Sequence, residues 1–190
     1  MTEDSFNKRI FTAHSFFRSG FRVFISIPAI IHAYFFNGLD KRFSERLLLA
    51  VSGVNGCVYC SWFHSYMATR RGVSQVEIDQ LLSQLIPGDI PDLEHQALLF
   101  AIHYAERDGQ FDAGSLESLH GYFKPAEVRQ IIALISAIHF GNLCGNTFDA
   151  FLLRLKGKPV VNSGALLEFF VFLISAPFLL PLLGRVAGTP

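Results

Sequence analysis

Three residues near the middle of the chain have the types and spacing needed for thiol redox chemistry. In the segment "NGCVYCSWFH", Cys57 and Cys60 form a CxxC pair, and His64 follows four residues after Cys60. Positions i, i+3 and i+7 share one face of a helix, so the two thiols and the imidazole can act together. A helix N-terminus stabilises a thiolate, which is the nucleophile in peroxide reduction and disulfide exchange. We therefore predict a dithiol in which one cysteine attacks and the other closes a disulfide.

Glu45 is the predicted partner of His64. An imidazole with a pKa near 6.5 can take the thiol proton at cellular pH, and a carboxylate bonded to it fixes its tautomer. Glu45 lies on an apolar helix that we expect from Ser44 to Val54, and the "GVNG" turn would fold this helix back against the cysteine helix. Asn55 is the expected N-cap of the cysteine helix, which is predicted to run from Gly56 to about Arg71.

The spacing of these four residues, together with "NGCVYC", resembles the alkylhydroperoxidase D-like branch of the carboxymuconolactone decarboxylase family. The resemblance covers roughly residues 40 to 155. It implies an all-helical bundle, a homo-oligomer, and a proton relay made of Glu45 and His64. By the same match, Cys60 is the attacking thiol and Cys57 is the resolving thiol.

One position departs from that family's pattern. Some members have a second histidine just before the second cysteine, where this chain has Tyr59. Tyrosine is a poor base at neutral pH because its pKa is about 10. Tyr59 is therefore a pocket candidate rather than a base, and its presence favours disulfide chemistry over a dedicated peroxidase. His139, on a long helix later in the chain, is a second pocket candidate, whereas Cys144 is assigned to the core.

Several alternatives remain open beside a dithiol peroxidase or disulfide reductase. The same four side chains are of zinc-binding types, but structural zinc usually pairs one CxxC with a distant second ligand pair, so we expect no metal. No cofactor is expected beyond the Cys57–Cys60 disulfide itself, with a peroxide or a thiol reductant as reaction partner. The family resemblance also allows a cofactor-free decarboxylase-like enzyme. A non-enzymatic, membrane-associated scaffold is the third alternative.

The composition excludes some classes of partner and compartment. Lys and Arg total 16, as do Asp and Glu, so no basic surface is available to recruit nucleic acid. The 3 cysteines are too few for the disulfide framework of a small secreted protein, which favours the cytoplasm. Hydrophobic residues reach 51% and charged residues only 17%, against about 25% charged in an average domain. Part of the apolar excess is expected to meet a membrane, a subunit or an apolar ligand.

The predicted elements are all helical and form one domain with an extension. The domain covers residues 1–158, with its core at about 40–155, and an apolar extension covers 159–190. Near the N-terminus we expect a buried or interfacial helix that starts or kinks near Pro28. Residues 165–184 are almost uncharged and long enough to span a bilayer, but Pro177 and Pro181 interrupt them. They contact either a membrane surface or a neighbouring subunit.

Overall fold

The computed structural model describes residue 6 and residues 8–36, 38–158, 160 and 164–186. Within these residues the protein is helical and contains no strand, which confirms the predicted all-α class. The helices are α1 (Ala13–Phe35), α2 (Lys41–Asn55), α3 (Val58–Arg70), α4 (Gln75–Leu82), α5 (Asp92–Glu106), α6 (Ala113–Tyr122), α7 (Pro125–Leu155), α8 (Ala165–Leu179) and α9 (Leu183–Val186). A short 3-10 turn, Leu180–Leu182, joins α8 to α9.

The long helix α7 is the central element of the bundle. It begins at Pro125, which suits the first position of a helix because proline has no N–H to leave unpaired there. It packs against α1, α2 and α8, and its first half joins the main hydrophobic core with α2, α4, α5 and α6. Its second half packs with α1 and α8 around Phe11, Leu143 and Val171. The helix that carries Glu45 and the helix that carries the cysteines are therefore both anchored to α7.

The boundary between α2 and α3 differs from the prediction. Asn55 is the last residue of α2, and Gly56 ends that helix in the left-handed conformation, with φ of 65°. The N-cap of α3 is Cys57, and its sulfur accepts a hydrogen bond from the backbone N–H of Cys60. The prediction of Asn55 as the N-cap was wrong because this side chain is buried and bonded to His139 of α7.

For the N-terminal helix, predicted to be buried or interfacial and to start or kink near Pro28, the structure decides between some of these alternatives. α1 begins at Ala13, where Thr12 and Ser15 form a reciprocal capping box, and Pro28 lies inside the helix. The helix therefore does not start at Pro28. Many of its large apolar side chains are exposed, so it is not a buried helix.

Two helices in the described part of the chain are long and apolar enough to cross a membrane. Pro125–Leu155 is 72% buried over its most apolar window, as a core helix of a soluble bundle would be. Ala165–Val186 has a mean hydropathy of 2.3 and is only 17% buried over that window. The predicted apolar extension is thus helical, although residues 159, 161–163 and 187–190 lie outside the described residues.

A dithiol beside a buried histidine and glutamate pair

The turn between α2 and α3 positions the two cysteines. Gly56 adopts a positive φ that L residues with a side chain rarely take, so the chain reverses within one residue. Cys57 then caps α3, and the N–H of Cys60 lies 3.3 Å from the Cys57 sulfur. Both cysteines are free thiols. The dithiol therefore lies at the N-terminus of a helix, as the sequence predicts, with Cys57 at the cap itself.

The Cys57 sulfur is packed tightly against α7. Cys57 is 0% exposed, while Cys60 is partly exposed. At Gly145 of α7, a Cβ atom would lie 2.8 Å from the Cys57 sulfur and 3.4 Å from the ring of Tyr59. A side chain at Gly145 would therefore displace Cys57. The absence of a side chain at Gly145 thus leaves room for the Cys57 sulfur, and the Cys60 thiol is the more exposed of the two.

The pKa of the Cys60 thiol is raised well above its ordinary value. The main cause is its hydrogen bond with Cys57, followed by burial, and both disfavour the Cys60 thiolate. The backbone N–H of Cys60 acts in the opposite direction but is outweighed. This differs from the lowered pKa expected at a helix N-terminus. The Cys60 thiolate is therefore disfavoured at neutral pH.

A buried histidine and carboxylate pair joins α3 to α2. The Nδ1 atom of His64 lies 2.8 Å from Oε2 of Glu45, and both side chains are buried. This pairing requires α2 and α3 to fold back on each other, as the "GVNG" turn predicts. Because Nδ1 is bonded to Glu45, Nε2 is the ring nitrogen left to exchange a proton. Cys60 precedes His64 by one helical turn.

Arg71 is a member of this group that the sequence analysis missed. Its Nη1 donates to Oε1 of Glu45 at 2.5 Å, so the buried carboxylate is held between a guanidinium and an imidazole. A charge buried among apolar side chains requires such a partner. The sequence feature that could have indicated this contact is the pair of arginines at the end of the cysteine helix, because one of them lies near enough to α2 to pair with its buried acid.

Comparison with known proteins supports the resemblance in this region. Residues 29–101 match the model of the carboxymuconolactone decarboxylase family. Over these residues the chain is similar to that family, as its sequence motif predicts. The match includes Glu45, Cys57, Cys60 and His64, and it ends before α6 and α7. No curated protein and no solved structure was found to match the chain.

Tyr59, which departs from the pattern expected in the carboxymuconolactone decarboxylase family, links α3 to α7. Its hydroxyl donates to Oδ1 of Asp149 at 2.6 Å, and Lys8 pairs with the other oxygen of that carboxylate at 2.9 Å. Burial raises the pKa of Tyr59, and Asp149 raises it further. The ring packs edge-on against Phe148. Tyr59 is therefore held as a neutral side chain whose proton is directed to Asp149.

His139 lies in a buried polar cluster between α2 and α7. Its Nδ1 is 3.1 Å from Nδ2 of Asn55, and its Nε2 is 3.7 Å from a carboxylate oxygen of Asp108. Asn146 donates to the backbone oxygen of Asn55 at 2.7 Å. His139 thus contacts Asn55, the last residue of α2, next to the turn that precedes Cys57.

Cys144 lies on α7 close to the dithiol. Burial raises the pKa of this thiol to about 12, even though a hydrogen bond with Ser175 of α8 acts to lower it. A thiol with such a high pKa is a poor nucleophile at neutral pH. This agrees with its assignment to the core.

The C-terminal extension packs over the dithiol. Cys57 and Tyr59 form a small apolar cluster with Phe148, separate from the main core. Cys60 and Leu152 pack against this cluster, as do side chains of the extension: Phe172, Ala176, Leu179, Leu182, Leu183 and Val186. The dithiol therefore lies between α7 and an apolar cover formed by α8, the 3-10 turn and α9.

The donor set for a metal is incomplete. In residues 8–36, 38–158 and 164–186, no three or more His, Cys, Asp or Glu side chains are grouped so that they could hold a metal ion. The two oxygens of Glu45 are bonded, one to His64 and the other to Arg71.

Proposed function

We propose that this protein is a dithiol oxidoreductase that reduces a peroxide or a disulfide through Cys57 and Cys60. The observation that carries the proposal is the buried hydrogen bond of 2.8 Å between Glu45 and His64, one helical turn from a CxxC pair. The similarity of residues 29–101 to the carboxymuconolactone decarboxylase family supports an enzymatic role.

In the proposed reaction, His64 is the base for Cys60. The raised pKa of Cys60 means that few of these thiols ionise unaided at neutral pH, so a base within one turn is needed. Glu45 directs Nδ1 of His64 and stabilises the imidazolium that forms. Arg71 holds the other oxygen of Glu45 and thereby fixes the carboxylate.

The chemical steps with a peroxide balance as follows. The Cys60 thiolate attacks one oxygen, so an S–O bond forms while the O–O bond breaks, and the leaving alkoxide takes the proton from His64. The thiol of Cys57 then attacks the sulfenic acid of Cys60, which forms the S–S bond and releases water. An external thiol reductant returns the disulfide to the dithiol. With a disulfide substrate, the first step is attack on sulfur instead of oxygen.

The partial exposure of Cys60 and the full burial of Cys57 favour Cys60 as the attacking thiol. The inner sulfur is adjacent and needs no access to substrate to resolve the intermediate. These roles agree with those implied by the family resemblance.

Titration of free thiols before and after one equivalent of peroxide tests the proposal. The wild-type chain has 3 cysteines, and we expect two of the thiols to be lost together. Cys144→Ser is the matched control, because it removes a buried thiol that has no role in the reaction, and it should still lose two. Glu45→Gln should slow the loss roughly 10- to 100-fold, and a pH profile would show whether it acts through His64.

Two results would contradict the proposal. One is a wild-type chain that keeps all its thiols under peroxide and also fails to exchange with a small disulfide. The other is a Cys60→Ser variant that loses thiols as the wild type does.

The family match also favours a second candidate function, a cofactor-free decarboxylase-like reaction that uses Glu45 and His64 for proton transfer. Proton transfer alone needs no thiols. A variant with both Cys57→Ser and Cys60→Ser would therefore keep full activity on a lactone or carboxylic acid substrate under this candidate. Under the dithiol proposal the same variant loses its reaction with peroxide or disulfide, and neither chain acts on the lactone or acid.

A further inference from the structure

The polarity of α8 is inverted relative to a helix on the surface of a soluble protein. Its buried residues include Glu168 and Ser175, while its large apolar side chains face outward. The exposed ones are Leu166, Phe169, Phe170, Leu173, Ile174 and Phe178. A helix in contact with water normally shows the opposite arrangement.

Charge on and around α8 follows the same inversion. Glu168 is the single acidic residue in the sequence from 150 to 186, and it turns inward to pair with Arg154 at 2.6 Å. Lys156 and Lys158 precede α8, and Arg185 follows it, all three exposed. The exposed apolar surface of α8 is therefore flanked at both ends by positive charge, with no exposed negative charge between.

The helix α1 is inverted in the same way. Arg18 bonds the backbone oxygen of Asp108 at 2.7 Å and its carboxylate at 3.0 Å. Arg22 bonds the hydroxyl of Tyr104 at 3.1 Å and the backbone oxygen of Gly109. Both arginines thus pair with the segment around the α5 to α6 connection. The outward side carries Phe17, Phe21, Phe24, Ile25, Ile27 and Ile31.

The two helices form one continuous apolar surface. Both pack on α7, and the rings of Phe16 and Phe170 meet at 6.0 Å between them. We call the exposed apolar residues of α1 and α8 together the α1–α8 face. An apolar surface of this extent on a soluble protein marks an interaction site.

The α1–α8 face lacks the polar groups that a protein interface uses. Between the exposed His14 and His32 near the ends of α1, every exposed side chain is apolar, and the same is true along α8. Protein interfaces carry about one hydrogen bond per 100–200 Å² and a polar rim. Hydrocarbon needs no hydrogen-bond partner, and anionic headgroups attract Lys and Arg beside an apolar helix.

We propose that the α1–α8 face binds side-on to a lipid bilayer that contains anionic lipids. The helices lie along the membrane surface, because their opposite sides are packed on α7. The basic residues at the ends of α8 contact the headgroups. Because α8 and α9 also cover the dithiol, membrane binding brings Cys57 and Cys60 close to the bilayer. The proposal does not depend on the chemistry assigned to the dithiol.

Co-sedimentation of the full chain with vesicles tests this binding. One set of vesicles is phosphatidylcholine alone, and the other is phosphatidylcholine mixed with phosphatidylglycerol. A variant with Phe24→Glu and Leu173→Glu introduces one carboxylate on each helix, at residues 68% and 53% exposed. Val76→Glu, at an apolar residue of α4 that is 66% exposed, is the matched control.

We expect the wild type and Val76→Glu to bind the anionic vesicles equally and more strongly than the neutral ones. The double variant should bind at least about tenfold more weakly, because it loses two apolar anchors and adds two carboxylates at the lipid surface. Circular dichroism should show unchanged helicity, and a second pair, Phe17→Glu with Phe178→Glu, should repeat the result.

Three outcomes would overturn the proposal. The first is a wild type that fails to bind anionic vesicles. The second is equal loss of binding in Val76→Glu and in the double variant. The third is a wild type that forms an oligomer without lipid, measured by light scattering, and does not bind vesicles, while the double variant is monomeric. A second copy of the chain would then cover the α1–α8 face. Equal binding to neutral and anionic vesicles would show that the basic residues at the ends of α8 do not contact anionic headgroups.

Discussion

The close approach of Cys57 to Gly145 predicts opposite effects for two glycine-to-alanine substitutions on the same helix. A Cβ at Gly145 would lie 2.8 Å from the Cys57 sulfur, well inside van der Waals contact. A Cβ at Gly141, one turn earlier on α7, would meet nothing within 4 Å. Both glycines are in the interior of α7, so both replacements gain the same helix propensity.

The expected magnitudes follow from two opposing terms. Alanine in place of glycine inside a helix stabilises a protein by roughly 0.5–1 kcal/mol. Gly141→Ala should show this gain. At Gly145 the extra methyl group overpacks a site whose neighbour is a short, fully buried side chain, and overpacking costs about 1–3 kcal/mol. Gly145→Ala should therefore lose about 1–2 kcal/mol, which puts the two variants roughly 1.5–3 kcal/mol apart.

Urea unfolding under reducing conditions measures both free energies, and the rate of thiol loss with peroxide reports the effect on the dithiol. Gly145→Ala should react more slowly, since Cys57 is displaced from the cap of α3. Gly141→Ala should react at the wild-type rate. If Gly145→Ala proved as stable as Gly141→Ala, the packing of Cys57 against α7 would not constrain the site, and the reasoning would fail.

Two further predictions concern titration. Burial alone would raise the pKa of Glu77, but a backbone N–H and Arg46 outweigh it and hold that pKa at about 2. A lowered pKa contributes stability that is present above the unfolded value of about 4.5 and is lost as the pH falls toward about 2. In urea unfolding, Glu77→Gln should therefore cost roughly 2–3 kcal/mol at pH 7 and little near pH 2. An equal cost at both pH values would contradict this. In a Cys144→Ser background, Cys57→Ser should lower the pKa of Cys60, so that iodoacetamide alkylates Cys60 from a lower pH onward. An unchanged pH profile of alkylation would show that Cys57 is not the main cause of the raised Cys60 pKa.

The pairing of Glu45 with His64 could be predicted because it depends on local signals. A glycine-bounded turn joins α2 and α3, and the two helices fold back on each other. The number of residues from Glu45 to the turn and from the turn to His64 then places the two side chains opposite each other. Arg71 could not be predicted with the same certainty. Two arginines, Arg70 and Arg71, stand at the end of the cysteine helix, and only the packed structure selects Arg71 as the one that reaches the buried carboxylate.

The exchange of roles between Asn55 and Cys57 shows how tertiary contacts override a local preference. Asparagine is among the best N-cap residues, whereas cysteine is not a preferred one. In the fold, Asn55 is buried against α7 and its side chain is bonded to His139. Its backbone oxygen accepts from Asn146. Cys57 is therefore the N-cap of α3. No pattern in the sequence indicates the contact between Asn55 and His139 that causes this.

The inverted polarity of α1 and α8 was also beyond a sequence-based prediction. Periodicity shows that such a helix has an apolar side, but it does not show which side faces the protein. The ion pair between Glu168 and Arg154 decides the orientation of α8. The contacts of Arg18 and Arg22 decide it for α1.

The position of Cys57 at the cap of α3 links helix stability to the reduction potential of the dithiol. Its sulfur accepts the N–H of Cys60 in the reduced protein. Closing the Cys57–Cys60 disulfide moves this sulfur into the specific geometry of an S–S bond, which weakens the hydrogen bond. A cap contributes about 1 kcal/mol, which corresponds to about 20 mV in a two-electron couple. The cap therefore favours the reduced form, so the protein is a somewhat stronger oxidant than the same CxxC pair would be without it.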